Sequence, residues 1–339
     1  MNSSNFALFI HRMINRGLTF VVLISIFLIS CEKEITVDLP EAEPKIVVEG
    51  TIFPGDFPLV LLTWTQGYFD PTDITSLQNI FVHDADVTIY AQGNSYELIE
   101  FCSSDLSAEE LELAAAALGV SVASLQSLDL CLYTTFALQG TAGTNYAIEI
   151  HKGDIHITGE TKIPELIELD TVYFDILNPE VQDTLGILYG NLTDPDTTGN
   201  AYRWFAKRIS HYPATAPDIN LRGQQKDLTF IAPFGSVYDD TFFNGLSFEF
   251  AYPRGIESNS QKFDDENEER SFYKVGDTVA IRGCTIDRAA FKFVRSLEAQ
   301  ISNQGSPFAI PFNLESNLNG GLGAFIGYGA IYDTVVCEW

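Results

Sequence analysis

Five cysteines carry the most specific chemistry in this sequence of 339 residues. Cys31 follows Leu28-Ile29-Ser30, a small residue ahead of a thiol, in the pattern that lipoprotein signal peptidase cuts. A cysteine in that position is lipidated on sulfur and becomes the new N-terminus. Upstream, His11, Arg12 and Arg16 make a short positive region, and Leu18 to Ile29 is apolar apart from Thr19 and Ser25. That run fits the apolar core of a signal peptide and is too short to span a bilayer comfortably. The reading is a signal peptide over 1–30, a lipidated tether over 31–44, and attachment to a membrane through acyl chains that each contribute about 0.8 kcal/mol per buried CH₂.

The remaining four, Cys102, Cys131, Cys284 and Cys337, are an even number in an exported chain, which points to disulfides. Three pairings are open. Sequential pairing, Cys102 with Cys131 and Cys284 with Cys337, is favoured because each bridge then stays inside one domain. Closing the first loop would contribute roughly 3–4 kcal/mol through the unfolded state. Zinc is the alternative, but no two of the four have the close spacing of zinc ligands.

Other chemistry is sparser. His151 and His156 flank Lys152-Gly153-Asp154 and would meet across a hairpin turn, but no carboxylate or cysteine companion is evident, so the pair reads as a polar hairpin. Asp194-Pro195-Asp196-Thr197-Thr198-Gly199-Asn200 is rich in oxygen ligands but lacks the EF-hand spacing, and reads as a turn. Tyr202 and Trp204 would share one face of a strand with Phe205 on the other, which suggests core packing rather than a sugar platform. There is no nucleophile elbow, HExxH helix, P-loop or dinucleotide fingerprint. No metal, cofactor or catalytic residue is therefore expected. A hydrolase would need a carboxylate pair, and 46 acidic residues give no basis for choosing two.

The elements that must position these residues are mainly strands. Lys45 to Ile52, Leu59 to Thr65 and Val87 to Tyr90 are β-rich, and Tyr146, Ile148 and Ile150 share one strand face before a return over Ile155 to Thr161. Residues 45–165 read as a sandwich of immunoglobulin-like size. A helical insert over 103–130 interrupts it: Ser107 and Glu110 form a capping box, Gly119 stops the first helix, and Ser121 caps a second. The proposed Cys102–Cys131 bridge would close this insert at its base. Residues 166–339 read as a second β-sandwich or barrel, with strands at Thr171 to Ile176, Ala201 to Ile209, Leu246 to Phe250 and Thr278 to Arg282. Phe291, Val294, Leu297 and Ile301 recur at helical spacing within Arg288 to Ser302. The class is all-β with two domains. The formal charge of -27 becomes about -29 once Arg12 and Arg16 leave with the signal peptide, which excludes nucleic acid and anionic lipid headgroups as partners.

Along nearly all of its mature length the chain resembles the lipoprotein family called domain of unknown function 4249, found in Bacteroidota. The resemblance rests on Pro44-Lys45-Ile46-Val47-Val48-Glu49-Gly50, Asp84-Ala85-Asp86-Val87 and Thr161-Lys162-Ile163-Pro164. It continues in Gly199-Asn200-Ala201-Tyr202-Arg203, Phe242-Phe243-Asn244-Gly245 and Ser306-Pro307-Phe308. Its strongest stretch is Ser316-Asn317-Leu318-Asn319-Gly320-Gly321-Leu322-Gly323-Ala324-Phe325. Such families are encoded beside TonB-dependent outer-membrane receptors, which implies a non-catalytic binding or accessory subunit in nutrient uptake. The implied location is the outer membrane, on the cell surface or its periplasmic face. Glu32-Lys33-Glu34 resembles a surface-export signal of such systems. The alternatives are a self-standing adhesin or glycan-binding module and, below it, a hydrolase; the ligand, small molecule or glycan, stays open. Asp-Thr pairs place possible O-glycosylation at Thr171, Thr184, Thr197, Thr278 and Thr334, a pattern resembling the acceptor signal of exported Bacteroidota proteins.

Overall fold

The protein is described by a computed structural model over residues 43–67, 70, 73–118, 120–177, 184–209, 227–255, 271–303 and 313–338. Cys31, the expected signal peptide and most of the expected tether lie outside the described residues, as do Gly119 and Ser306-Pro307-Phe308. The described residues are mostly β, 47% in strands against 17% in helices, so the class is all-β.

In chain order the elements begin with β1 (Ile46–Ile52), β2 (Leu59–Trp64), α1 (Ile74–Gln78), β3 (Asp86–Ala91) and β4 (Asn94–Cys102). The insert follows as α2 (Ala108–Leu118) and α3 (Val122–Leu128), and then come β5 (Cys131–Thr134), β6 (Asn145–Lys152) and β7 (Ile155–Lys162). The second half holds β8 (Thr171–Ile176), β9 (Leu185–Thr193), β10 (Ala201–Arg208), β11 (Val237–Asp239), β12 (Ser247–Tyr252) and β13 (Tyr273–Lys274). It ends with β14 (Thr278–Ile286), α4 (Arg288–Ser302), β15 (Leu318–Asn319) and β16 (Leu322–Val336).

One long curled sheet runs β11-β10-β14-β16-β1-β2-β5-β4-β3-β6-β7-β15. In the smaller sheet β9 is central, flanked by β8 on one edge and by β12 and β13 on the other. The predicted boundary near 165 falls between β7 and β8, but the halves share the large sheet. β1 pairs in parallel with β16, from Val47 opposite Leu322 to Ile52 opposite Gly327. Sequence alternation explains the inward faces: Val48, Ile52, Val60, Leu62, Val87, Ile89, Ile148, Ile150 and Ile157 are buried around fully buried Phe325. Each such side chain contributes about 1.5–3 kcal/mol by leaving water.

The curl is completed where β7 comes back to β16. Gly327 N donates to Thr161 Oγ1 at 2.9 Å, and the Asn317 side chain bonds both Glu160 of β7 and Phe325 of β16. Gly323 holds φ +89° here, with its missing Cβ replaced by the carbonyl oxygen of Val48 2.1 Å from where that atom would stand. The stretch Ser316 to Phe325 is therefore the seam of the curled sheet.

The insert forms as the sequence predicts. Ser107 N donates to Glu110 Oε2 at 2.8 Å and Glu110 N to Ser107 Oγ at 3.4 Å, the reciprocal pair of a capping box. Ser124 N donates to Ser121 Oγ at 3.0 Å. Leu111, Ala115 and Leu125 make a small core of their own. Cys102 and Cys131 face each other across β4 and β5 and are disulfide-bonded, closing the insert at its base.

The expected Cys284–Cys337 bridge is corrected: both thiols are free and buried. The register gives the reason. Cys284 of β14 stands opposite Ala330, whereas Cys337 follows Val336, which is opposite Thr278. Seven residues of strand therefore separate the two positions, about 23 Å at ~3.3 Å per residue. A disulfide spans a Cα separation of about 6 Å. Cys284 belongs to the core under α4, Cys337 to the core between the two sheets.

Helix α4 covers the large sheet with Ala290, Phe291 and Val294, as its spacing predicts, but Ile301 at its far end is exposed. Its cap, Asp287, does two jobs. Oδ1 accepts from Ala290 N at 2.8 Å, and Oδ2 accepts from Thr161 Oγ1 at 2.7 Å and Lys162 N at 3.0 Å. One carboxylate thus starts the helix and pins it to β7.

Candidate functional site

The outer face of β3, β6 and β7 gathers the most polar chemistry of the described surface. Its strands alternate cleanly: Val87, Ile89, Tyr146, Ile148, Ile150 and Ile157 point into the core, so their neighbours must point out. Register then sets the outward rows. Thr88 pairs with Glu149 and Glu149 with Thr158; Tyr90 pairs with Ala147 and Ala147 with Glu160; Asp86 pairs with His151 and His151 with His156. The two-residue turn Gly153-Asp154, with Gly153 at φ +58°, fixes that register.

An open groove of about 740 Å³ runs along this face, lined by Tyr90, Gln92, Asn145, Glu160, Lys162 and Asn317 among others. A second hollow of about 380 Å³ continues it past Glu149, Thr158 and Asn319, sharing Tyr90, Ala147, Glu160 and Asn317. Two parts of the fold build the far wall, Asp287 at the start of α4 and Asn317 at the seam. Both side chains are already engaged by the backbone, so they hold the wall in place rather than offering free groups. The rest of the lining offers amides, carboxylate, one ammonium and the Tyr90 ring, an arrangement of fixed donors and acceptors on the sheet.

At the hairpin end the two histidines do meet. Their rings stack at 4.3 Å between centroids with planes 5° apart. The carboxylate companion that the sequence reading lacked is Glu149. Its Oε1 lies 3.1 Å from His151 Nε2 and 2.9 Å from His156 Nε2, and its Oε2 accepts from Tyr90 OH at 2.8 Å. The Tyr90 hydroxyl first, and then the two imidazoles, hold the Glu149 carboxyl below the usual carboxylate range. The same bond raises the Tyr90 phenol. Glu149 is two residues before His151, on the same strand face, and that period of two was the signal available in the sequence.

The other sequence-level candidates take structural roles. Asp194 is buried and accepts from Tyr202 OH, and its Oδ2 accepts from Gly245 N at 3.0 Å. Asp240 Oδ2 accepts from Gly199 N at 2.6 Å and Asn200 N at 2.8 Å. The oxygen-rich segment is therefore a turn, with Asp194 spent on backbone and phenol donors and the backbone of Gly199 and Asn200 held by Asp240. Tyr202, Trp204 and Phe205 are all buried in core. His83 Nδ1 lies 2.7 Å from Glu100 Oε1 beside Cys102 and Cys131, but those sulfurs are joined to each other. Of the Asp-Thr threonines, Thr171, Thr197 and Thr334 are exposed while Thr184 and Thr278 are half-buried. Asp277, preceding Thr278, is fully buried in an ion pair with Arg208 at 3.1 Å. A second buried pair joins Arg254 to Asp227, and Asp227 also accepts from Arg208 N at 2.7 Å. None of the described helices is long and apolar enough to cross a membrane.

A family model described as domain of unknown function (DUF4249) matches residues 32–330. No curated protein and no solved structure matches the chain.

Proposed function

This chain belongs to the DUF4249 family, and from that premise we propose that it is a lipid-anchored outer-membrane protein serving as a non-catalytic binding subunit of a TonB-dependent receptor. The β3–β6–β7 face is its ligand surface in this reading. The groove of about 740 Å³ along that face is the observation that carries it. A flat sheet with fixed amides and carboxylates is suited to hold a small polar ligand without remodelling. The anchor is supported by the order of charge, apolar run and lipobox before Cys31, and by a family match that begins at residue 32, directly after it.

The test is a gentle-detergent pull-down of the tagged protein from its native membrane, followed by mass spectrometry. A stoichiometric outer-membrane barrel is the expected companion. Recovery of the protein alone, under conditions that keep a known complex intact, overturns the receptor reading. Cys31→Ala is expected to leave unlipidated precursor, and normal lipid labelling of that variant would refute the anchor.

A second reading, a self-standing glycan-binding module, draws on the same groove. Tyr90 offers a ring face, and Gln92 and Asn145 offer paired donors and acceptors for neighbouring hydroxyls. Binding on a glycan array that is lost in Gln92→Ala, with no barrel in the pull-down, would favour this reading over the first.

A further inference from the structure

The Glu149–His151–His156 cluster is more than a polar hairpin. We infer that these three side chains bind a divalent cation of the imidazole-seeking class, for which zinc is the probe. Their ligand atoms all lie within 4.8 Å of one another. Zinc takes imidazole nitrogen and carboxylate oxygen at about 2.0–2.2 Å, so neighbouring ligand atoms in a tetrahedral site stand about 3.3 Å apart. The two Nε2-to-Oε1 separations, 3.1 and 2.9 Å, are already near that spacing. The cation would stand between the imidazoles and the carboxylate, each neutral ring coordinating through Nε2 as the tautomer that carries its proton on Nδ1.

Three further features fit. The ligands come from two strands locked in register, with His151 directly opposite His156, and from their stacked pose the two rings turn about χ2 so that both in-plane Nε2 lone pairs meet one cation. Tyr90 OH orients Glu149 through its second oxygen, as an outer partner orients a ligating carboxylate. Both histidines are about half exposed, 49% and 51%, which leaves an open path to the site. Asp86, registered beside His151 on the same face, and the chain's charge of -27 draw cations towards it. Two nitrogens and one oxygen select against calcium and magnesium, which prefer all-oxygen shells. Three protein ligands leave a tetrahedral cation one position for water or for an oxygen of a molecule in the adjoining hollow.

The test needs no receptor, so it stands or falls apart from the uptake reading. The full-length protein, purified in detergent and stripped by chelator, competes with a chromophoric chelator for zinc. One equivalent is expected. His151→Ala, His156→Ala and Glu149→Gln should each weaken it by at least about 10- to 100-fold, and Tyr90→Phe by about tenfold. Cobalt(II) should give visible bands with the wild type that vanish in His151→Ala. Glu149→Gln keeps the side-chain shape, and matching melts of the metal-free proteins exclude misfolding as the cause. Equal zinc affinity in wild type and in the double variant His151→Ala/His156→Ala overturns the inference. So does a wild type that takes up no zinc, or a loss seen only with His83→Ala.

Discussion

Asn317 is bonded to Phe325 as one strand residue is bonded to another. Its Nδ2 donates to the Phe325 carbonyl at 2.6 Å, and its Oδ1 accepts from the Phe325 N–H at 3.1 Å. The same Nδ2 donates to the Glu160 carbonyl at 2.8 Å. One amide therefore stitches β7 to β16 where no backbone ladder joins them. Asn317→Ala removes all three bonds and leaves backbone groups unpaired, a cost of about 1–3 kcal/mol. Asn317→Asp should fail similarly, since a carboxylate has no donor for either carbonyl. Urea unfolding reads the change, and an unaltered midpoint in both variants would remove the clasp from the account.

Thiol reactivity separates the two kinds of cysteine. Burial pushes the Cys284 thiol up to about 12, with Arg282 and Arg203 opposing weakly, and burial likewise raises Cys337. Both should therefore stay protonated and shielded at pH 8 in the native protein and react with a thiol reagent only after denaturation. A peptide map showing Cys284 joined to Cys337 would contradict this.

Reduction should act on the insert. Opening Cys102–Cys131, which are 29 positions apart, is expected to cost about 3–4 kcal/mol in denaturant unfolding. Exchange of amide hydrogens should rise first in α2 and α3, whose core is small and separate. Uniform loss of protection across the sheets would show that the bridge holds more than the insert.

The buried ion pairs set a third stability expectation. Asp277 and Arg208 are both fully buried, so Asp277→Ala takes a carboxylate partner from a guanidinium in the core between the sheets. The expected loss is about 3–5 kcal/mol, measured by chemical denaturation. A loss under about 1 kcal/mol, typical of exposed pairs, would mean that water reaches Arg208.

Much of the fold was legible because it is local. β-rich or alternating runs located β1, β2, β3, β6, β7 and β8, cap chemistry located α2 and α3, and apolar spacing located α4. Strand β14 runs on to Ile286 where the sequence reading stopped at Arg282, because Gly283 interrupts the apolar pattern while the ladder to β16 continues through it. The site was half legible. A tight turn brings His151 opposite His156, and that can be read from spacing. Glu149 needed the strand period applied one step further. The seam was not legible: an asparagine side chain serving as a strand, or a parallel pairing between the two ends of the chain, has no local signature. The Cys284–Cys337 expectation failed for the same reason, since proximity in sequence order says nothing about offset along a hairpin.

The pairing of β1 with β16 also orders events in time. Phe325 fills the core that the first seven strands enclose, so that core stays incomplete until nearly the whole chain is present. A chain synthesised N-terminus first must wait for its last strand before its first can settle. Contacts this distant along the chain make for slow folding, with the β1 edge exposed meanwhile to any neighbouring strand. Truncation before Leu322 would strand the N-terminal half rather than release it as a working piece.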